Sequence, residues 1–342
     1  NIEIGLKEQI ATVTLKATGA KVNILNGDFL AELKQAAHEL AGMDNIKGAV
    51  VISGHASGFI AGADIGEIEH VSDPTMGTEL AALGQGVFNL WASLPFPVLA
   101  AIHGHCMGGG TEFALACHYR IVAENAVIAL PEVKLGILPG FGGTQRLPRL
   151  ISIEKSLDII LSGRNIRSTE ALKCGLVDRL ADENSLAVAA EQFIHEIIAD
   201  KQIVLARRAR ITGGWRRLLM EKNPLGRKIL FKQAKQQLLK KTGGHYPAPL
   251  KALATIERTL DLPIQTGLQI EAEALGDMIV TPVSKNLVHL FHLSQRPKKT
   301  AETMTTSPEI KNAAVLGAGV MGGGIAQLLI SRGIPTVLKD IN

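Results

Sequence analysis

Apolar and polar positions alternate through IATVTL (10–15), the pattern of a half-buried strand. In DFLAELKQAAHEL (28–40) the period changes, and Phe29, Leu33, Ala36 and Leu40 share one face of a predicted helix. IKGAVVISG (46–54) then reads as a short buried strand. Leu80, Leu83, Val87, Leu90 and Trp91 make a second helical stripe, closed by Pro95 and Pro97, before another buried strand at VLAAIHG (98–104). Strands alternating with helices at this spacing predict an α/β fold built from βαβ units. From about 150 to 300 the pattern is mostly helical, as in AVAAEQFIHEIIAD (187–200), and no repeat of fixed period is present.

The pattern breaks at SQRPKKTAETMTTSPEIKN (294–312), which is polar, holds proline and reads as a linker. A strand, AAVLG, then runs into Gly317-x-Gly319-x-x-Gly322, a helix pattern and a second strand ending in Asp340. Strand, glycine turn, helix, strand and acid together form the dinucleotide fingerprint. Its glycines permit a tight turn, approach of the backbone to a pyrophosphate, and close packing of helix on strand. Asp340 is placed to accept hydrogen bonds from an adenine ribose, which favours NAD over NADP. One strand–helix–strand unit does not bury its own faces. The expectation is therefore the start of an NAD-binding Rossmann domain in a longer polypeptide, with no dehydrogenase activity from this piece.

Composition narrows the class without naming a function. A length of 342 residues fits two or more domains. The 36 Lys and Arg against 32 Asp and Glu leave +4, too mild by itself to argue for nucleic acid or membrane. The imbalance is local: from 203 to 245, Arg207, Arg208, Arg210, Arg216, Arg217, Lys222, Arg227, Lys228, Lys232, Lys235, Lys240 and Lys241 face only Glu221. A solvated helical face is the plain reading. A site for ligand phosphates, a docking surface for an acidic partner, or an RNA-binding module are the others, the last weakened by few interleaved aromatics beyond Trp215, Phe231 and Tyr246. Cys106, Cys117 and Cys174 do not make a disulfide framework and point to a reducing compartment. No run of about 18 apolar residues predicts a membrane span. Asn1 opens no signal-peptide pattern, so the cytoplasm is the expected location.

Candidate chemistry lies in three glycine-bearing loops at predicted strand ends: SGFIAGADIGEI (57–68), HGHCMGGGTEFALAC (103–117) and LPEVKLGILPGFGGTQRLPR (130–149). Ligands of open α/β folds gather at such ends. Gly108 to Gly110 leave bare N–H groups at a helix start, suited to negative charge developing on a carbonyl oxygen. Glu112 stands one turn into that helix and Glu132 follows another strand. Two carboxylates beside an oxyanion hole suit proton transfer next to a carbonyl, or water addition to its conjugated double bond. Glu124, Glu67 and Asp64 are rival acids without that setting. His103 and His105 read as structural, and Cys106 and Cys117 as packing residues.

These three segments resemble those of the crotonase (enoyl-CoA hydratase/isomerase) superfamily over roughly residues 5–190. With the basic helical stretch, linker and fingerprint, the whole chain resembles the multifunctional α-subunits of bacterial fatty-acid oxidation complexes, and among their versions it most resembles the anaerobic type. The resemblance implies a crotonase-type ββα superhelical core over 1–190 and a helical extension over 191–293. A linker over 294–312 and the first strand–helix–strand of the NAD-binding domain over 313–342 follow. It implies hydration of trans-2-enoyl-CoA to 3-hydroxyacyl-CoA in β-oxidation, with Glu112 activating water and Glu132 delivering a proton to the α-carbon. The N–H groups of Ala63 and Gly109 match the oxyanion hole, and Gly140 matches a water-positioning glycine. Lys21, Val22, Ala61, Asp64, Ile65 and Gly108 fall where coenzyme A is held, and Gly317, Gly319, Gly322 and Asp340 where NAD is held. The family's lysine after the GADI segment is replaced by Gly66. No metal is implied. A thiolase β-subunit is the implied partner, with a homo-oligomer as a further option. The retained pair of acids favours hydratase over an isomerase alone. Isomerase or epimerase side activities also occur in such proteins.

Overall fold

The computed structural model describes residues 1–213, 218–303 and 310–341. The chain divides into two compact units, Asn1–Phe291 and His292–Asn342.

Ten strands belong to the first unit: β1 (Ile2–Lys7), β2 (Ile10–Leu15), β3 (Gly48–Ser53), β4 (Gly58–Ile60), β5 (Val98–Ile102), β6 (His105–Met107), β7 (Tyr119–Ala123), β8 (Val127–Ala129), β9 (Ile166–Arg167) and β10 (Arg179–Ala181). They form a six-stranded sheet ordered β1-β2-β3-β5-β7-β10 and a four-stranded sheet ordered β4-β6-β8-β9. In the large sheet only β1 and β2 are antiparallel, in register from Ile2 opposite Leu15 to Lys7 opposite Ile10. Their hairpin turns on Glu8 and Gln9 with positive φ. That turn geometry usually recruits glycine or asparagine, so the sequence gives no turn signal there. β3 and β5 are almost wholly buried apolar runs, as parallel strands covered on both faces must be.

The small sheet positions the site. β4, β6 and β8 run parallel and adjacent, so their carboxyl ends emerge together. The chain leaves those ends as residues 61–64, 108 and 130–132, which are the three glycine-bearing loops. Thr111 fastens two of them, donating its hydroxyl to Cys106 O and Ala129 O at 2.8 Å each.

Helix Gly27–Gly42 buries Phe29, Leu33, Ala36 and Leu40 as its spacing predicts, and the Asn26 side chain caps it by accepting from Phe29 N–H. Helix Pro74–Ala92 departs from expectation. Its buried face is Gly77, Ala81, Gly84, Gln85, Val87, Phe88 and Trp91, while Leu83 is 52% exposed. Glycine and alanine there let the helix lie close to helix Ile264–Ile279: a Cβ on Gly77 would stand 2.7 Å from Ile279. Trp91 is fully buried and donates its indole N–H to Leu33 O at 3.0 Å.

Part of the basic stretch is absorbed structurally. Arg208 pairs with both oxygens of buried Asp178, Arg207 donates to the carbonyls of Leu172, Val177 and Asp178, and Arg227 pairs with Asp261. Glu221 turns inward, accepting from Ile153 N–H at 2.9 Å. Trp215, Arg216 and Arg217 lie outside the described residues. Among the described residues no helix is long and apolar enough to cross a membrane.

In the second unit, β11 (Ala313–Leu316) and β12 (Thr336–Lys339) pair in parallel and flank helix Val320–Ser331. Helix Pro282–Thr303 runs through 294–303, where the sequence reads as linker. Gly317 adopts φ +100°, and a Cβ on Gly322 would stand 1.7 Å from Gly317 O, so helix and turn touch through backbone. Val320, Met321, Ile325, Leu328, Val337 and Leu338 are exposed.

Candidate active site

Gly108, with φ +52°, turns the chain from β6 into helix Gly109–Ala116. The next two glycines answer close packing: a Cβ would stand 2.8 Å from Leu25 Cδ1 at Gly109 and 2.6 Å from Ile60 O at Gly110. The helix is thereby pressed against β4, and every residue from Gly109 to Ala116 is buried. Gly108 N–H donates to Ala129 O. Among the described residues no acceptor takes the N–H of Gly109 or of Ala63.

Glu112 is 2% exposed. Its Oε1 accepts from Phe141 N–H at 2.8 Å and Gly143 N–H at 2.7 Å, and its Oε2 takes no hydrogen bond among the described residues. Burial pushes its carboxyl well above the usual carboxylate range. Negative charge on Glu132 and Glu271 adds to that, while the two N–H groups oppose it. Glu132 opens a short 3-10 turn after β8, and both its oxygens are buried without a hydrogen-bond partner. Its carboxyl is pushed up to about 8, chiefly by burial. A buried carboxyl without partners is held neutral near pH 7, so it is equipped to give a proton rather than take one.

Both glutamates line one cavity of about 110 Å³, together with Ala61, Gly62, Ala63, Ile65, Gly108, Gly109, Gly140 and Phe141. Its far wall is apolar: Ile68, Leu80, Leu135, Ile137, Leu138, Leu275 and Ile279. A carbonyl oxygen at the Gly108–Gly109 turn would lie beside unengaged N–H groups, with the two buried carboxyl groups lining the same cavity.

Of the other expected residues, Ala61 and Ile65 reach the cavity, whereas Asp64 caps helix Ile65–His70 by accepting from Gly66 N–H at 2.7 Å. Lys21 and Val22 are not in the cavity wall, but the following segment is laced to the loop after β4. Ala61 N–H donates to Asn23 O, Leu25 N–H to Gly62 O, and Asp64 N–H to Leu25 O. Gly140 packs on Leu275, 2.4 Å from where its Cβ would be. The rivals have other duties: Glu67 accepts from Gly27 N–H, His103 bonds His55 O, and burial pushes the Cys106 and Cys117 thiols up to about 12. Asp340 accepts from Ala318 N–H at 3.0 Å, bracing the glycine turn.

A third buried acid, Glu271, was not expected. It is completely buried on helix Ile264–Ile279, and burial pushes its carboxyl up to about 7. It shares that helix's apolar stripe with Gly267, Leu268, Ala272 and Leu275, and an acid at such a position was the available signal.

Residues 5–241 match the family model for enoyl-CoA hydratase/isomerase, and residues 312–342 match the model for the NAD-binding domain of 3-hydroxyacyl-CoA dehydrogenase. Two curated relatives are fatty acid oxidation complex α-subunits. The one from Shewanella amazonensis is 39% identical over 97% of this chain, and the one from Shewanella loihica 40% over 98%. The chain spans about half the length of these relatives, 47% of each. Among solved structures, an enoyl-CoA hydratase from Bacillus anthracis superposes with a TM-score of 0.55 at 26% identity, covering 87% of this chain and 96% of that one. The fold is thus of crotonase type, followed by the opening strand–helix–strand of a dinucleotide-binding domain. By its matched family model, the chain belongs to the enoyl-CoA hydratase/isomerase family.

Proposed function

We propose that the first unit adds water across the double bond of trans-2-enoyl-CoA to give 3-hydroxyacyl-CoA, a step of fatty acid β-oxidation. One observation carries this reading: a carboxyl held by two N–H groups, Glu112, and a partnerless buried carboxyl, Glu132, face one cavity beside the unengaged N–H groups of Ala63 and Gly109.

In this mechanism the thioester oxygen sits between those two N–H groups. Glu112 Oε2 takes a proton from water while the oxygen attacks the β-carbon. The electron pair of the double bond moves toward the thioester oxygen, where the amides stabilise the charge. Glu132 delivers its proton to the α-carbon. The product leaves Glu112 protonated and Glu132 ionised, and exchange with solvent water resets both. The apolar wall from Ile68 to Ile279 accommodates the acyl chain. Gly140, packed on Leu275, helps position the water through its backbone, and Lys21, Val22, Ala61, Asp64, Ile65 and Gly108 hold the coenzyme A portion.

We further infer that the full-length protein oxidises the 3-hydroxyacyl product with NAD. Gly317, Gly319 and Gly322 would shape the pyrophosphate turn and Asp340 would hold the ribose, a role the turn geometry fits. The relatives' names as subunits of an oxidation complex support a partner subunit, for which we propose a thiolase β-subunit. The free cysteines fit the cytoplasm as location.

The test is the loss of conjugated enoyl-thioester absorbance of crotonyl-CoA. The wild type should hydrate it, and Glu112→Gln and Glu132→Gln should each slow it about a hundredfold or more, the scale of a lost general acid or base. A wild type inactive on short and long enoyl-CoAs, or two variants at full rate, would overturn the assignment.

A further inference from the structure

The mechanism above leaves Glu271 unused, yet it is wired to the same loop as Glu112. Its Oε1 accepts from Gly142 N–H at 2.6 Å and from Gln85 Nε2 at 3.1 Å. Its Oε2 accepts from Thr144 N–H at 2.9 Å and from the Thr144 hydroxyl. The intervening amides point the other way, Phe141 and Gly143 N–H to Glu112 Oε1. Four successive N–H groups, 141 to 144, therefore alternate between two carboxylates. Gly142 permits the turn with φ +114°. Gln85 ties in the start of the loop as well, donating to Gly140 O and Leu268 O at 2.9 Å each.

This wiring has a chemical consequence. Two N–H groups converge on one oxygen of Glu112 and oppose the burial that disfavours its charged form. Those N–H groups are aimed by a loop whose other two N–H groups are fixed by Glu271. No hydrogen bond of the wiring reaches Glu132, which accepts none; Glu271 acts on it only through charge, which raises the Glu132 carboxyl. We propose that Glu271 is a positioning residue for the water-activating half of the reaction: it clamps residues 140–144 so that Glu112 is held by Oε1 and offers Oε2 to water. The helical region after residue 260 thus supplies a working part of the site. The proposal rests on the hydratase reading of Glu112.

The experiment separates the two halves of the chemistry in the 342-residue chain. Hydration of crotonyl-CoA needs both glutamates. A saturated thioester, butyryl-CoA, has no double bond to hydrate, but above about pH 8, where Glu132 is ionised, that carboxylate can remove its α-proton, with the charge on the thioester oxygen, and return a deuteron taken from deuterated water. Glu271→Gln keeps size but replaces one acceptor oxygen by an amide N–H₂, so either Gly142 N–H or Thr144 N–H loses its acceptor. The expected result is a fall in hydration kcat of about tenfold or more, with KM and the α-deuteration rate within about twofold of wild type. An equal fall in both rates would assign Glu271 to general structure and overturn the proposal. Unchanged hydration would overturn it too. Should Glu271→Gln not fold, Thr144→Ala, which deletes one donor of the clamp, is judged by the same ratio and should lower hydration severalfold more than exchange. A wild type that deuterates butyryl-CoA but does not hydrate crotonyl-CoA would sink the hydratase reading itself, a result distinct from any outcome in the variants.

Discussion

Two helices in this molecule begin from the same local instruction. Gly109–Ala116 and Val320–Ser331 each follow a strand, turn on glycines and open their N-termini toward a prospective ligand. The first helix is buried along its whole length, whereas Val320 at the start of the second is 100% exposed and Met321 79%. A glycine turn is written in a few adjacent residues. A site is made by what closes around it, and here those parts come from far along the chain: Phe141 and Gly143 on Glu112, Leu275 on Gly140, Glu271 behind the loop.

The largest contrast should come from adding one methyl group to each motif. At Gly110 a Cβ would stand 2.6 Å from Ile60 O and 2.7 Å from Ile60 Cβ, so β4 and the helix must separate. Gly110→Ala should cost about 2 kcal/mol, the scale of overpacking, and lower the melting temperature by roughly 4–8 °C. At Gly319 nothing lies within 4 Å, and Gly319→Ala should shift stability by less than about 0.5 kcal/mol. Thermal unfolding followed by circular dichroism decides this. Equal shifts would mean that the difference in burial does not govern the two turns.

A smaller effect belongs to the buried acids, which have no counterpart in the second unit's turn. Glu132 titrates at about 8 in the folded chain, against about 4.3 for an ordinary glutamate. A raised folded-state value favours the neutral acid, so its contribution to stability is full below the ordinary value and is lost as pH rises through about 8. The wild type should therefore lose melting temperature between pH 6 and pH 9. Glu132→Gln, which cannot ionise, should lose roughly a few degrees less. The same acid must be protonated to act, so the hydration rate should fall as pH rises through about 8. A melting temperature that changes with pH identically in both proteins would refute the burial of an ionisable Glu132.

Both glutamates and their glycine turns were legible because strand, glycines and acid are neighbours in sequence. Glu271 was not, although it interrupts an apolar stripe. Its meaning depends on Gly142, Thr144 and Gln85, each more than a hundred residues away, and no periodicity links them. Leu83 was misread for the opposite reason. A helix face defined by leucines looked right, but the contact with helix Ile264–Ile279 required small residues, so Gly77, Ala81 and Gly84 faced inward. The helix through 294–303 was hidden by Pro297 and a polar composition, which argue against a helix locally without excluding one.

The smallest expected effect is the one that states the comparison most fully. Every residue that lines the cavity lies between Ala61 and Ile279, and each hydrogen bond on Glu112 and Glu271 comes from within that span. All of them belong to the unit Asn1–Phe291. Ending the chain after Lys311, which deletes the whole strand–helix–strand element, should therefore leave kcat and KM for crotonyl-CoA within about twofold of the parent. Ending it before Ile264 should abolish hydration, because Glu271, Leu275 and Ile279 leave with that helix. If the first deletion cost more than tenfold while the protein stayed folded, the glycine turn at 317–322 would be working on the hydratase chemistry, and the two turns would have to be understood as parts of one site.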